Sequence, residues 1–258
     1  MATTYAFDNA WRQARERLAL LETCPDPATT RRMTALGVGD GWTCLDVGAG
    51  GGSVAAWLCG RVGASGKVVA TDIDTRFLDA LAEPNLEVRR HDVVTDPLPT
   101  ATFDLVHTRM VLMHQPEREQ LLARLVDALK PGGWLLVEEQ DLFPISAVAS
   151  GLYADTWAAF HRAARSHGAR GDWARELPSL LARQGLDQVG AEGDVPFFAG
   201  GSPMAEFWRL TWEQLRVGIV KAGADEQDVE RALCLLADPE QQFIGPAIVA
   251  AWGRRAGG

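Results

Sequence analysis

The chain has 258 residues, 47% hydrophobic and 23% charged, a balance that suits one folded unit or a core with a cap and allows a sizeable buried interior. Lysine and arginine number 25 against 34 aspartates and glutamates, and the resulting net charge of −9 has the wrong sign for long-range attraction to nucleic-acid phosphates. No apolar run approaches the roughly 20 residues of a membrane span, and MATTYAFDNAWRQARERL has neither a basic nor an apolar leader region. These features predict a cytoplasmic protein with no membrane or nucleic-acid partner, and they leave a homodimer open. Cys24, Cys44, Cys59 and Cys234 are scattered, without a CxxC pair or a histidine at ligand spacing, so reduced thiols and no metal site are expected.

In chain order, residues 9–36 read as two amphipathic helices interrupted at Cys24-Pro25-Asp26-Pro27, a helical cap segment over 1–40. From Trp42 short apolar runs alternate with helical stretches. Strands are expected at 43–48, 67–72, 86–92, 103–108 and 133–138, with helices at 53–59 and 76–81. A further helix carries Leu121, Leu122, Leu125, Val126 and Leu129 at helical spacing and stops at Lys130-Pro131-Gly132-Gly133. Near-continuous apolar strands separated by helices mean a parallel sheet covered on both faces, a doubly wound α/β domain over 41–258. After Gln140 the alternation lapses into helical insertions at about 146–175 and 202–237, and residues 186–198 and 247–253 are the last two expected strands.

Leu45-Asp46-Val47-Gly48-Ala49-Gly50-Gly51-Gly52 ends the first strand and opens a helix, so the chain turns sharply with little side-chain bulk in the way of a ligand. The phosphate loop GxxxxGK[ST] is absent, and GxGxxG is imperfect because position 53 is Ser. What fits is Asp-x-Gly-x-Gly-x-Gly at Asp46, Gly48, Gly50 and Gly52. Asp72, at the end of the second strand, can accept two charge-assisted bonds from a ribose diol, worth roughly 1.5–3 kcal/mol each. Asp74, one residue beyond Ile73, is explained by capping a helix start. His91-Asp92-Val93 ends the third strand, where a carboxylate and a neighbouring N–H can read an adenine edge. A glycine cluster alone is often a tight turn and a loop aspartate is often only solvated; the three together point to a nucleoside-bearing ligand.

These residues, with Phe103-Asp104-Leu105-Val106 and Leu129 to Leu135, resemble the ordered motifs of class I S-adenosylmethionine-dependent methyltransferases over about residues 42–138. The resemblance implies a Rossmann-like seven-stranded sheet, mostly parallel with an antiparallel last strand, and S-adenosylmethionine as cofactor with S-adenosylhomocysteine as product. It places Gly48, Ala49 and Gly50 beneath the methionine part, after the motif acid Asp46. Asp72 falls on the ribose, Ile73 against adenine, and Asp92 with Val93 at its edge. Thr108 and Arg109 face the sulfonium, Arg109 in position to pair with the cofactor carboxylate.

Methyl transfer from a sulfonium is an in-line displacement, and placing the nucleophile about 3–3.5 Å from the methyl carbon can supply roughly 7–11 kcal/mol. A hydroxyl acceptor must also lose a proton, which calls for a base near neutrality. His114, five residues past Arg109, is the candidate, and by the same resemblance Tyr5 is its partner; a histidine before Pro-Glu can equally serve to hold its loop. His161, His167, Glu139 and Asp141 are lesser candidates, and His107, inside a strand, is expected as a satisfied core residue. Nine tryptophans permit an apolar, ring-containing acceptor. The expected function is O-methylation of a small molecule of specialised metabolism. N- or C-methylation, a cyclase or lyase on the same fold, and a NAD-dependent dehydrogenase that uses Asp72 in the same way are the alternatives.

Overall fold

The computed structural model describes residue 7 and residues 9–257. In chain order it contains α1 (Ala14–Thr23), α2 (Asp26–Ala35), β1 (Thr43–Val47), α3 (Ser53–Val62), β2 (Lys67–Asp72), β3 (Leu86–Arg90), β4 (Phe103–Arg109), α4 (Arg118–Ala128) and β5 (Leu129–Asp141). There follow α5 (Phe143–Val148), α6 (Gly151–Ser166), α7 (Leu177–Arg183), β6 (Leu186–Asp194), β7 (Phe197–Ala199), α8 (Pro203–Gln214), α9 (Arg216–Lys221), α10 (Glu226–Ala237), β8 (Gln242–Ile244) and β9 (Ala247–Arg255). The chain divides into two compact units. One comprises Pro25–Glu139, Ala174–Glu192 and the segment from Val249; the other comprises the segment up to Cys24, Gln140–Trp173 and Gly193–Ile248.

The first unit is built on a seven-stranded sheet of order β3-β2-β1-β4-β5-β9-β6. β1 to β5 are parallel neighbours in that order, Leu45 lying opposite both Val69 and Val106. One strand runs against the rest. It is β9, because Arg254, at its end, donates to Gly132 O near the start of β5 at 2.8 Å. The order reverses between β1 and β4, and at such a switch point the carboxyl ends of the strands open the crevice where ligands of α/β sheets bind. α3 turns Val54, Ala55, Leu58, Cys59 and Val62 inward, and these pack with Leu105, Leu136 and Ala250. α4 buries Leu121, Leu122, Leu125 and Val126, as its spacing requires. Cys44 and Cys59 are buried, and burial raises both thiols, Cys59 to about 11.

Four boundaries differ from expectation. The unit boundary falls after Cys24 and not after residue 40, because Met33 of α2 is buried in the sheet's core. Residues 76–81 form only a short 3-10 turn, Leu78–Ala80. β5 already begins at Leu129, so Lys130 to Gly133 belong to the strand. The stretch 186–198 is two strands. β6 stops at Asp194, Pro196 has no N–H to continue a ladder, and β7 pairs antiparallel with β8, Phe198 opposite Phe243.

The second unit is mainly helical, and its aromatic residues form its core. Trp157 packs edge-to-face on Trp208 at 4.4 Å, on Phe160 at 5.4 Å and on Trp212 at 5.5 Å. Tyr153 packs on Phe243 at 4.8 Å and donates its hydroxyl to Ile244 O at 2.8 Å. Among the described residues no helix is long and apolar enough to cross a membrane. Trp157→Ala is expected to lower stability by about 3–5 kcal/mol, read as a shift of the urea midpoint, because it empties the centre of this cluster.

Candidate functional site

The bend after β1 is held by its own backbone. Gly48, Gly50 and Gly52 have φ of +71°, +58° and +91°, the left-handed region in which a Cβ is strained. Gly48 N–H and Ala49 N–H both donate to Thr71 O, at 2.8 and 3.0 Å, which ties the bend to β2. The space that the missing side chains leave is partly filled. A Cβ on Gly48 would lie 2.2 Å from Val111 Cγ2, and one on Gly52 would lie 2.5 Å from Leu81 Cδ1. At these two positions glycine is also needed for protein packing.

Asp72 ends β2 and faces the bend. Its Oδ2 accepts from Gly50 N–H at 3.0 Å and its Oδ1 from Asp74 N–H at 3.0 Å. Burial raises its carboxyl pKa, against the opposing effect of these N–H groups. Each oxygen still has room for a further donor. Ile73 beside it is 46% exposed. Asp74 caps Arg76 N–H at 3.2 Å and pairs with the Arg76 guanidinium at 2.8 Å. His91 N–H donates to Asp72 O at 2.9 Å, which brings the ends of β2 and β3 together. Asp92 Oδ1 accepts from Val94 N–H and its own N–H donates to Asp96 Oδ2, both at 2.9 Å. Val93 is buried, and Arg124 bonds Val93 O and Val94 O at 2.8 Å each.

Behind the bend lies a buried charge network. His107 of β4 stands between Asp46 Oδ1 at 2.7 Å and Glu138 Oε2 at 3.2 Å. Burial alone would lower the imidazole's pKa, but the bond to Asp46 and its charge, then those of Glu138, outweigh it and raise His107 to about 9. Burial likewise favours a neutral Glu138. His107, the Thr29 hydroxyl at 2.6 Å and the charge of Arg109 overcome it and hold this carboxyl at about 2. Arg32 of α2 donates to Glu138 at 2.6 Å and to Glu192 of β6 at 2.5 Å. His107 is therefore a satisfied core residue, and a charged one.

The remaining candidates separate. Thr108 is buried and its hydroxyl has no hydrogen-bond partner among the described residues. Arg109 bonds Asp26 at 2.8 Å and Thr29 Oγ1 at 2.9 Å. Its guanidinium thus holds α2. His114 ends a 3-10 turn, Leu112–His114, just past β4 and is partly exposed. Glu139 is fully buried and accepts from Leu112 N–H at 2.8 Å and Val111 N–H at 3.3 Å. Asp141 caps Phe143 N–H at 2.9 Å, His161 Nε2 accepts from Gly171 N–H at 3.4 Å, and His167 lies 3.0 Å from Ala163 O at the end of α6. Tyr5 lies outside the described residues. No group of three or more metal-ligating side chains occurs among the described residues. Reasoning from the sequence missed Thr29, Arg32, Glu138 and Glu192. The available signal was His107 and Glu138, charged residues inside otherwise apolar strand runs.

The pKa shifts fix the sign of a pH dependence. His107, raised from 6.5 to about 9 on folding, contributes stability that is fully present below 6.5 and is lost as pH rises through 9. Glu139, raised by burial from 4.5 to about 8, favours the folded state less with each step of pH from 4.5 to 8. Glu138, lowered to about 2, contributes stability present above 4.5 and lost as pH falls through 2. Unfolding free energy is expected to decline between pH 6.5 and 9 at up to roughly 1.4 kcal/mol per pH unit for each titrating group, and His107→Gln should flatten the part above pH 8. Gly48→Ala should destabilise by about 1–3 kcal/mol, and Val111→Ala in the same chain should restore part of that loss, both read by urea unfolding.

Residues 45–137 match the family model described as a methyltransferase domain. The chain is 32% identical over 112 residues to methyltransferase str2 of Strobilurus tenacellus, covering 42% of this chain and 39% of that protein. It is 35% identical over 113 residues to the ubiquinone/menaquinone biosynthesis C-methyltransferase UbiE of Laribacter hongkongensis, covering 42% and 46%. The chain therefore spans less than half the length of either of these curated relatives. Phosphoethanolamine N-methyltransferase 2 of Haemonchus contortus, solved with phosphomonomethylethanolamine and S-adenosylhomocysteine, superposes with a TM-score of 0.55 at 16% identity, over 96% of this chain and 53% of that one. At that identity the likeness is one of fold. With the strand order, the glycine bend and the acidic tip of β2 all in place, residues 45–137 of this chain match a methyltransferase domain, and the seven-stranded sheet around them has the Rossmann-like methyltransferase order.

Proposed function

We propose that the chain transfers a methyl group from S-adenosylmethionine to an oxygen of a small-molecule acceptor of specialised metabolism, with His114 as the base. The observation that carries the cofactor assignment is Asp72, held by Gly50 N–H and Asp74 N–H with acceptor capacity left on both oxygens, next to a half-exposed Ile73. An adenosyl group needs an acceptor pair for its diol and an apolar surface for its base, and these two residues meet both needs. Oδ2 of Asp46 is buried without a hydrogen-bond partner among the described residues, an acceptor that the ammonium of the methionine part would satisfy. Asp92 and Val93 would take the adenine edge, Gly48 to Gly50 would lie beneath the methionine part, and Thr108 would face the sulfonium.

When bound, the cofactor supplies a methyl group on a positively charged leaving group, and placement and proton removal remain for the protein. The turn after β4 carries His114 at the carboxyl edge of the sheet, where a histidine can take the proton of an acceptor hydroxyl. A carbon acceptor is a second reading, favoured by the 35% identity to a relative named as a C-methyltransferase. The methyl carbon chemical shift of a labelled product separates an ether from a C–CH3 group.

S-adenosylhomocysteine is expected to raise the thermal midpoint while NAD does not; the reverse would replace the methyltransferase assignment with a dehydrogenase. Asp72→Ala should weaken S-adenosylhomocysteine binding about 10-fold or more in calorimetry. His114→Ala should leave that affinity nearly intact and lower turnover on a phenolic acceptor by roughly 10²-fold. Undiminished turnover would leave orientation as the sole source of catalysis.

A further inference from the structure

The turn between β4 and α4 is poorly supported by its own residues. Met110 has φ of +56°, a conformation that side chains other than glycine rarely adopt. The 3-10 turn that follows has three residues and closes with His114 N–H on Val111 O at 3.1 Å and Gln115 N–H on Leu112 O at 3.0 Å. β5 provides the outside support. Glu138 O accepts from Met110 N–H at 2.8 Å. The next side chain, Glu139, directs Oε1 at Leu112 N–H, 2.8 Å, and Val111 N–H, 3.3 Å, and Met113 N–H adds to the same cradle. Successive backbone N–H groups converging on one carboxyl form an anion nest.

We propose that Glu139 is a positioning residue of this site, which holds the turn after β4 by its backbone N–H groups and so sets Val111 against the Gly48 bend and His114 at the turn's end. Burying an acid is unfavourable, and an apolar side chain would fill the same volume more cheaply, so this carboxyl contributes something that packing alone does not. Its second oxygen is buried without a hydrogen-bond partner among the described residues. The link to the cofactor side is steric. Val111 Cγ2 occupies the place beside Gly48 where a Cβ would be 2.2 Å away, so the turn cannot shift toward the bend without displacing it. Two residues on, Gly50 N–H holds the Asp72 carboxylate at 3.0 Å. A displacement of Glu139 would therefore be felt at His114 through the turn and at Asp72 through the bend. The consequences at those two residues rest on the function proposed above, whereas the hold on the turn does not.

The test is amide hydrogen exchange of the ligand-free chain at Val111, Leu112 and Met113, with S-adenosylhomocysteine titrations, for Glu139→Leu and Glu139→Gln. Glu139→Leu is expected to speed exchange at Leu112 and Met113 about 10-fold or more beyond any change at β4, and to weaken S-adenosylhomocysteine about 10-fold. Glu139→Gln keeps an acceptor oxygen without the acid and should restore most of both. Wild-type protection of these amides in Glu139→Leu, or a glutamine variant as impaired as the leucine one, would overturn the proposal. If Glu139→Leu does not fold, Val111→Ala replaces it. That variant should leave Leu112 protected and weaken S-adenosylhomocysteine, and unchanged affinity would remove the link to the bend. A wild-type chain that does not bind S-adenosylhomocysteine counts against the cofactor assignment alone, since exchange still decides the role of Glu139.

Discussion

The bond from Gly50 N–H to the Asp72 carboxylate joins the two features on which the site depends, a bend that only glycines can make and an acid at the tip of the neighbouring strand. The bend reaches Asp72 because Gly48 N–H and Ala49 N–H are already fixed on Thr71 O, one residue before it. It can be that tight because Val111 and Leu81 fill the places where Cβ atoms would stand. The carboxylate is thus oriented by backbone groups alone. No side chain has to be ordered for it, so the conformational entropy of holding the acid in place is low.

Beneath the bend, charge replaces hydrocarbon at the centre of the sheet. Asp46, His107 and Glu138 lie on three adjacent strands, and Arg32 carries the network into α2. Burying ions is costly, and such networks are weak evidence for net stability. What this one provides is register. Each charge has its partner on a different strand or helix, so a slip of any one element would leave a buried ion unpaired, at a cost of several kcal/mol. Arg109 does the same for α2 through Asp26 and Thr29.

The helical unit shows the opposite solution. Its interior is aromatic, with Trp157, Trp208 and Trp212 packed edge-to-face around Tyr153 and Phe160. These residues invite assignment to a ligand pocket. Their burial, at 2% exposure or less for the three tryptophans, makes them core.

The motif Asp-x-Gly-x-Gly-x-Gly, the acid at the end of the second strand and the alternation of apolar runs determined by themselves the doubly wound sheet and the glycine bend with its acidic partner. They are local features, because glycine's freedom and strand periodicity act within a few residues. Tertiary structure alone decided that Val111 packs on Gly48, that Arg109 faces Asp26, that Glu139 turns into the amides of residues 111–113, and that Pro196 diverts β7 to a second sheet. Each of these joins groups far apart in the chain or depends on which strand is left to pair. A carboxylate in a strand run looks the same in sequence whether it meets an imidazole, a guanidinium or a row of N–H groups, and only the packed fold determines which.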